Sequence, residues 1–338
     1  MKAEQQADFR RTAVALAHVY LIGVLEWALL RVLFLDRWWW LFLLNVFGIY
    51  LFVPLPLAVI VAWWTRRRLL WVGCILALLV GAALFGPFYL PSVQKVEVNG
   101  PKLKVMTYNI LGYNTNPQPV LDTIREVDAD LIAIQELNGP VAEALYRELD
   151  EVYPYRVFNP QSGVTGMGVL SRYPITPTAE LLPGRWVHTT PQLMTMDFEG
   201  ISVTVVHAHP FHTHFSSPGA MRESVETRNA QAQAIADFVA LQSDPVLVPG
   251  DFNSPLHTTA YKHLSKNLVD AWRQRGLGFG HTWPGTFPLC GSFASTTFFT
   301  PRTGAHLRSR SALGTAFRTI DLLSPRWSCP LTLEKSNS

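Results

Sequence analysis

Apolar positions crowd the chain before Pro91 and thin out after it. Residues 38–64 and 69–90 carry no charged side chain at all. Each run is long enough to cross a hydrocarbon core of roughly 30 Å as a helix. Residues 14–35 form a third candidate span, weaker because it holds His18, Glu26 and Arg31; an interfacial amphipathic helix is the alternative there. Trp38, Trp39, Trp40, Trp63, Trp64 and Trp71 stand at the ends of these runs, where indoles favour the membrane interface. Pro54 and Pro56 predict a kink in the second span, which a membrane helix tolerates. The pattern therefore predicts a short N-terminal segment, 1–13, and a membrane anchor over 14–90.

After a linker at 91–102 the periodicity changes. Alternation over 103–108 predicts a strand, 120–127 a helix and 131–134 a short buried strand. A second helix follows over 141–149, supported by Glu143 and Arg147 four residues apart. Residues 168–171 read as a strand ending before Tyr173 and Pro174, and 193–198 with 201–207 as a hairpin across Glu199-Gly200. A long helix over 222–241 leads into a buried strand at 245–248. Strands with helices between them make the class α/β or α+β. The soluble unit is bounded at 103–288, and 289–338 loses strand periodicity and turns rich in Ser, Thr and Arg.

Composition narrows the reading. With 49% hydrophobic and 16% charged residues, the chain is too apolar to be a soluble enzyme throughout. A net charge of +3 is too small to argue for nucleic acid as a partner. The Cys count of 3 is too low for a disulfide framework, and none lies between Gly100 and Leu289. Orientation follows from Arg66, Arg67 and Arg68, the dense basic cluster between spans, which belongs on the cytoplasmic side. Lys2, Arg10 and Arg11 agree. The expectation is a multi-pass cell-membrane protein whose domain after Pro91 lies on the extracytoplasmic side.

Chemistry-bearing residues sit where strands end. Asn109 follows the first strand and Gln135-Glu136 the second; His207 and His209 close the hairpin, and Asp251 and Asn253 follow a later strand. Singly, each is an ordinary turn residue. Together they suggest a cleft along one edge of a sheet. His207 and His209 share strand parity, so either suits the cleft. His212 and His214 extend the His cluster, for which a second metal site is the minority reading beside a plain polar loop.

Five segments then carry a resemblance: Met106-Thr107-Tyr108-Asn109-Ile110, Ile134-Gln135-Glu136, Gly168 to Ile175, His209-Pro210 and Gly250-Asp251-Phe252-Asn253. In this order they resemble the endonuclease/exonuclease/phosphatase family, in a membrane-anchored bacterial branch. Arg228 with Gln231, and Thr282-Trp283-Pro284, are similar to its later elements. The resemblance implies a four-layer α/β sandwich of two packed sheets with helices outside. It also implies hydrolysis of phosphate esters with a divalent metal, magnesium first and manganese as the alternative. Carried over by position, Glu136 is the metal ligand, with Asn109 helping to fix metal and phosphate. Asp251 would orient the attacking water, Asn253 hold a phosphate oxygen and His209 face the scissile phosphate. His207 and Arg228 are the substrate-contact candidates. The partners implied are the lipid bilayer and a phosphate-ester substrate, either nucleic acid or a phospholipid head group. A membrane-anchored binding protein that keeps the fold without turnover is the alternative.

The pattern breaks at its end. The family closes on Ile-Asp-His and then Ser-Asp-His, and neither is present; Ile320-Asp321 is followed by Leu322. A divergent tail is one reading. The other comes from the genetic code. Read one nucleotide early, codons permitted for Ala294 to Thr297 spell Arg-Ile-Asp-His, and those for Arg318 to Leu322 spell Ser-Asp-His-Arg-Pro. Both missing motifs return in one frame and in order, which predicts a frameshift between Trp283 and Ala294. The chain as written is then expected to be poorly active.

Overall fold

The computed structural model describes residues 2–90, 103–271, Gly278 and the backbone of 299–301. The linker at 91–102, Thr282-Trp283-Pro284 and Ile320-Asp321 lie outside the described residues, as does nearly all of 289–338.

Three segments in the N-terminal part, Glu4–Phe34, Gly48–Thr65 and Arg68–Phe88, are long and apolar enough to cross a membrane. The first lies within α1 (Lys2–Phe34), whose Val14, Ala17, Leu21 and Val24 are buried while Leu16, Val19, Ile22 and Leu29 are exposed. Such a split suits one face on neighbouring helices and the other on lipid. The expected span over 38–64 is not one helix. It divides into α2 (Trp39–Val46), a 3-10 turn at Gly48–Phe52, and α3 (Leu55–Thr65). The break has two causes. Gly48 passes so close to α1 that a Cβ there would stand 2.7 Å from the Trp27 ring. Pro54 and Pro56 sit at the start of α3, where the missing N–H groups cost nothing, so they begin a helix instead of kinking one. Helix α4 (Arg68–Phe85) returns and packs with α1 and α3 through Ala58, Ala62, Cys74 and Ala77. The Asn45 side chain ties α2 back to α1: it accepts from Trp27 Nε1 at 3.1 Å and donates to the Leu35 carbonyl at 2.7 Å.

Beyond the linker the chain is an α/β sandwich. The first sheet takes β1 (Val105–Asn109), then, across α5 (Gln118–Val127), β2 (Leu131–Gln135). After α6 (Gly139–Glu148) come β3 (Tyr155–Asn159) and β4 (Met167–Ser171), giving the order β1-β2-β4-β3. The second sheet has the order β5-β6-β7-β8, from β5 (Ile175–Pro177), β6 (Gln192–Phe198), β7 (Ile201–His207) and β8 (Val246–Leu247). Helix α7 (Pro218–Leu241) connects β7 to β8, and α8 (Thr259–Asn267) packs beside it before β9 (Leu268–Asp270). Residues Phe299–Pro301 form β10, antiparallel to β9.

Strand alternation builds the layers. Val105, Leu131, Val169, Met194, Met196, Val203 and Val205 meet between the sheets. The opposite face of the first sheet, Met106, Tyr108, Ile132 and Ile134, is covered by Leu121 and Ile124 of α5 and Val141 and Leu145 of α6. Val206 and Val246 of the second sheet lie under Ile235 and Val239 of α7 and Leu264 of α8. Helices, sheet, sheet, helices: this is the four-layer arrangement that the resemblance implied.

The strands expected from alternation are all present. Those not anticipated are β3, a half-exposed strand at the sheet edge, and the short β5, β9 and β10. Edge position and strands of three residues leave too short a run of alternation to mark themselves in sequence.

Candidate active site

Two parallel strand pairs locate the site. Strands β1 and β2 run parallel, with Asn109 beside Gln135, so their C-terminal ends deliver Asn109 and Glu136 to the same edge. Strands β7 and β8 are also parallel, extended by a bridge between Ala208 and Gly250, which delivers His209 and Asp251. A parallel pair needs a long crossover, here α5 and α7, so that equivalent strand ends coincide. The carboxyl ends of parallel strands are where open α/β sheets place their ligands.

Residues from the two sheets meet at one amide. Asn109 Nδ2 donates to Glu136 Oε1 at 2.9 Å and to Asp251 Oδ2 at 3.1 Å. The Asn109 Oδ1 accepts from the Leu111 N–H at 3.0 Å, which fixes the amide the right way round. Glu136 Oε2 accepts from the Gly112 N–H at 2.9 Å, and Asp251 Oδ1 from the Asn253 N–H at 3.0 Å. Both carboxylates are nearly buried.

Backbone strain concentrates here. Glu136 has φ +62° and Leu111 φ +60°, conformations that L-residues with bulky side chains enter at a cost of roughly 1 kcal/mol or more. Two glycines allow the close approaches: a Cβ on Gly112 would stand 1.9 Å from the Gly163 carbonyl oxygen, and one on Gly250 1.8 Å from that of Ala208. Any side chain at Gly250 would drive β8 away from β7 and carry Asp251 with it.

The two histidines divide. His207 is wholly buried between the sheets, with Nε2 2.7 Å from Gln135 Nε2 and Nδ1 3.0 Å from Gln192 Oε1. His209, also buried, follows the Ala208–Gly250 bridge, and the Glu136 carboxylate acts on its charge. Its carbonyl accepts from the Thr189 hydroxyl, and its Nδ1 has no hydrogen-bond partner among the described residues. Burial pushes the imidazole of His207 down to about 3 and that of His209 to about 4, Glu136 opposing the fall for His209. Both are neutral at pH 7.

His212, half-buried and close to His214, is likewise lowered to about 4. A folded-state value below the unfolded one means that the unfolded chain takes up protons first. Stability should therefore be lost as pH falls from about 6.5 towards 4, and be level above 6.5 on this account. Thermal unfolding followed from pH 7.5 to 4.5 checks this. A melting temperature unchanged across that range would contradict the burial of these rings as neutral groups.

The remaining expected residues support the site from behind. Asn253 Nδ2 donates to the Pro210 carbonyl at 3.1 Å. Arg228 is fully buried and spends Nη1 on the Phe211 carbonyl at 3.1 Å and the Thr213 hydroxyl at 2.9 Å. Gln192, Thr189 and Ser224 did not stand out in sequence, because each acts by holding backbone or a ring in place; Gln135 did, but as a strand-end residue and not as the partner of His207. Ser224, Arg228 and Gln231 form a polar stripe on α7 at helical spacing; the sequence offered Arg228 as a substrate contact, whereas here its Nη1 is spent on the loop at Phe211 and Thr213.

Hard oxygen donors on Glu136 and Asp251, held by a neutral amide, fit a divalent cation such as magnesium, which takes one or two carboxylates and keeps much of its water. Among the described residues no three His, Cys, Asp or Glu side chains already surround one point.

The sandwich of two sheets thus gathers two carboxylates, an amide and a neutral imidazole at its joined strand ends. The profile of the endonuclease/exonuclease/phosphatase family matches residues 106–308, and the chain belongs to that family. Solved structures with a partial likeness of shape include a humanized D. rerio TDP2 (TM-score 0.48, 16% identity, covering 59% of this chain and 83% of that one). A 3'-5' exonuclease from Neisseria meningitidis gives 0.44 and 17% over 59% and 86% of the two chains. Sphingomyelinase C from Streptomyces griseocarneus gives 0.39 and 21% over 51% and 72%. No curated protein matches the chain.

Proposed function

We propose that the protein is a membrane-anchored, divalent-metal-dependent phosphoesterase that hydrolyses phosphodiester or phosphomonoester bonds outside the cytoplasm. The carrying observation is the convergence of Glu136 and Asp251, from different sheets, on the single amide of Asn109. Two buried like charges brought together in this way favour a cation between or beside them.

Glu136 would hold the metal, with the Asn109 amide steadying its carboxylate; when bound the metal would supply charge to neutralise the phosphate and lower the pKa of a water. Asp251, fixed by the Asn253 N–H, orients that water by accepting its hydrogen bond. His209, neutral, donates to a phosphate oxygen. Asn253 holds Pro210 and so the backbone that carries His209. The preorganised donors act where charge develops and need no rearrangement during reaction. Magnesium or manganese titrated into the full chain in detergent should bind at one site and be required for phosphodiester hydrolysis; hydrolysis that persists in chelator counts against the metal.

Placement outside the cytoplasm rests on Arg66, Arg67 and Arg68 between the last two spans. Single cysteines replacing the exposed Glu199 and Arg67, in a background free of other cysteines, test it in intact cells. A membrane-impermeant maleimide is expected to label Glu199→Cys and spare Arg67→Cys. The reverse pattern would put the domain in the cytoplasm.

A further inference from the structure

We propose that Phe42, in the membrane part, is a positioning residue for the candidate site: its ring seats the Arg228 guanidinium that holds the loop from His209 to His214. The anchor is then part of the site's support as well as a tether.

The loop is pinned from α7 at three points. The Phe211 N–H donates to Gln231 Oε1 at 2.8 Å, the Phe211 carbonyl and Thr213 hydroxyl accept from Arg228 Nη1, and the His214 N–H donates to Ser224 Oγ at 3.1 Å. Arg228 is the one charged member of this set, and it is buried. Its Nε and Nη2 have no hydrogen-bond partner among the described residues. A buried cation needs compensation. Asp36 and Asp251 both favour its charge, one from the anchor and one from the site. The guanidinium carbon lies 5.0 Å from the centroid of the Phe42 ring, itself buried, within the range of a cation–π contact.

The anchor segment bearing Phe42 is built to stay put. Asn45 fastens α2 to α1, and Asp36 accepts from the Thr259 N–H at 3.0 Å and from its hydroxyl. Phe42 and Val46 pack against Val225, one turn before Arg228 on α7. The chain of contacts thus runs from α2 through Arg228 to the loop that begins at His209.

The test uses the full chain in lipid nanodiscs, with Phe42→Leu, Phe42→Tyr and Val46→Ala. Leucine fills apolar space without a π face, tyrosine keeps the face, and Val46→Ala loosens the same interface without touching Arg228. Two readouts are taken: hydrogen exchange of the Phe211 and His214 amides, and kcat and KM for bis(4-nitrophenyl) phosphate with magnesium. Phe42→Leu is expected to speed exchange about tenfold and lower kcat about tenfold with KM little changed. Phe42→Tyr and Val46→Ala should stay near the parent in both. Unchanged exchange in Phe42→Leu, or an equal change in Val46→Ala, overturns the proposal. The kinetic arm rests on the phosphoesterase reading; the exchange arm does not. If exchange responds as expected while no parent or variant hydrolyses the diester, even with the alternate frame between Trp283 and Ala294 restored, the support role stands and the phosphoesterase reading falls.

Discussion

Restoring the alternate frame between Trp283 and Ala294 is expected to raise metal-dependent phosphodiester hydrolysis by at least ~10²-fold over the chain as written. The reason is the ending of the sequence. The resemblance assigns a general base to the His of a closing Ser-Asp-His and a metal-assisting Asp just before it, and the written frame carries neither. Members of a catalytic unit act together, so loss of one removes most of what the others contribute. Everything else described for the site, from Asn109 to Asn253, is in place without them. The nucleotide sequence from the Trp283 codon onward is the first measurement. A single-base change that opens Arg-Ile-Asp-His and Ser-Asp-His in one frame makes this chain a lesioned or misread copy of a complete enzyme. If the written frame stands and rates are already high without those motifs, the expectation fails and another group must act as base.

In that restored chain, Glu136→Ala should lower kcat by about 10²–10³-fold while the protein still folds and inserts. Glu136 contributes two things that alanine cannot: hard oxygens for the cation, and acceptors for Asn109 Nδ2 and the Gly112 N–H. Losing the second leaves buried donors unsatisfied, at about 1–3 kcal/mol, enough to lower the melting temperature without abolishing the fold. Glu136→Gln separates the effects, because its amide oxygen can still accept from one donor while the charge is gone. A membrane-anchored binding protein without turnover would lose no catalysis by either change. Metal affinity followed alongside decides the matter: unchanged affinity in Glu136→Ala would remove Glu136 from the metal site.

Much of this was legible in the chain itself. The uncharged runs and their flanking Trp residues fix a membrane part, because a hydrocarbon core admits few other sequences. The alternation over 103–108, 193–198 and 201–207 marks strands, each with an apolar face to bury, while the four layers came from the family resemblance. The polar residues at the strand ends, with the Gly-Asp-Phe-Asn block and the family resemblance, point to Asn109, Glu136, His209, Asp251 and Asn253.

Tertiary structure decided the rest, because it depends on which strands run parallel and which surfaces meet. Only the pairing of β1 with β2 and of β7 with β8 brings Glu136 and Asp251 to one amide across 142 positions of sequence between Asn109 and Asp251. Parity left His207 and His209 equivalent; the amides of Gln135 and Gln192 occupy both ring nitrogens of His207, while His209 Nδ1 has no partner among the described residues. The segment from Trp38 to Trp64 read as one span, yet Gly48 against Trp27 breaks it and frees α2 to lie against α7. Periodicity records how a segment buries its own apolar face. It carries no record of which distant residue comes to rest against it, and the contact of Phe42 with Arg228 is of that second kind.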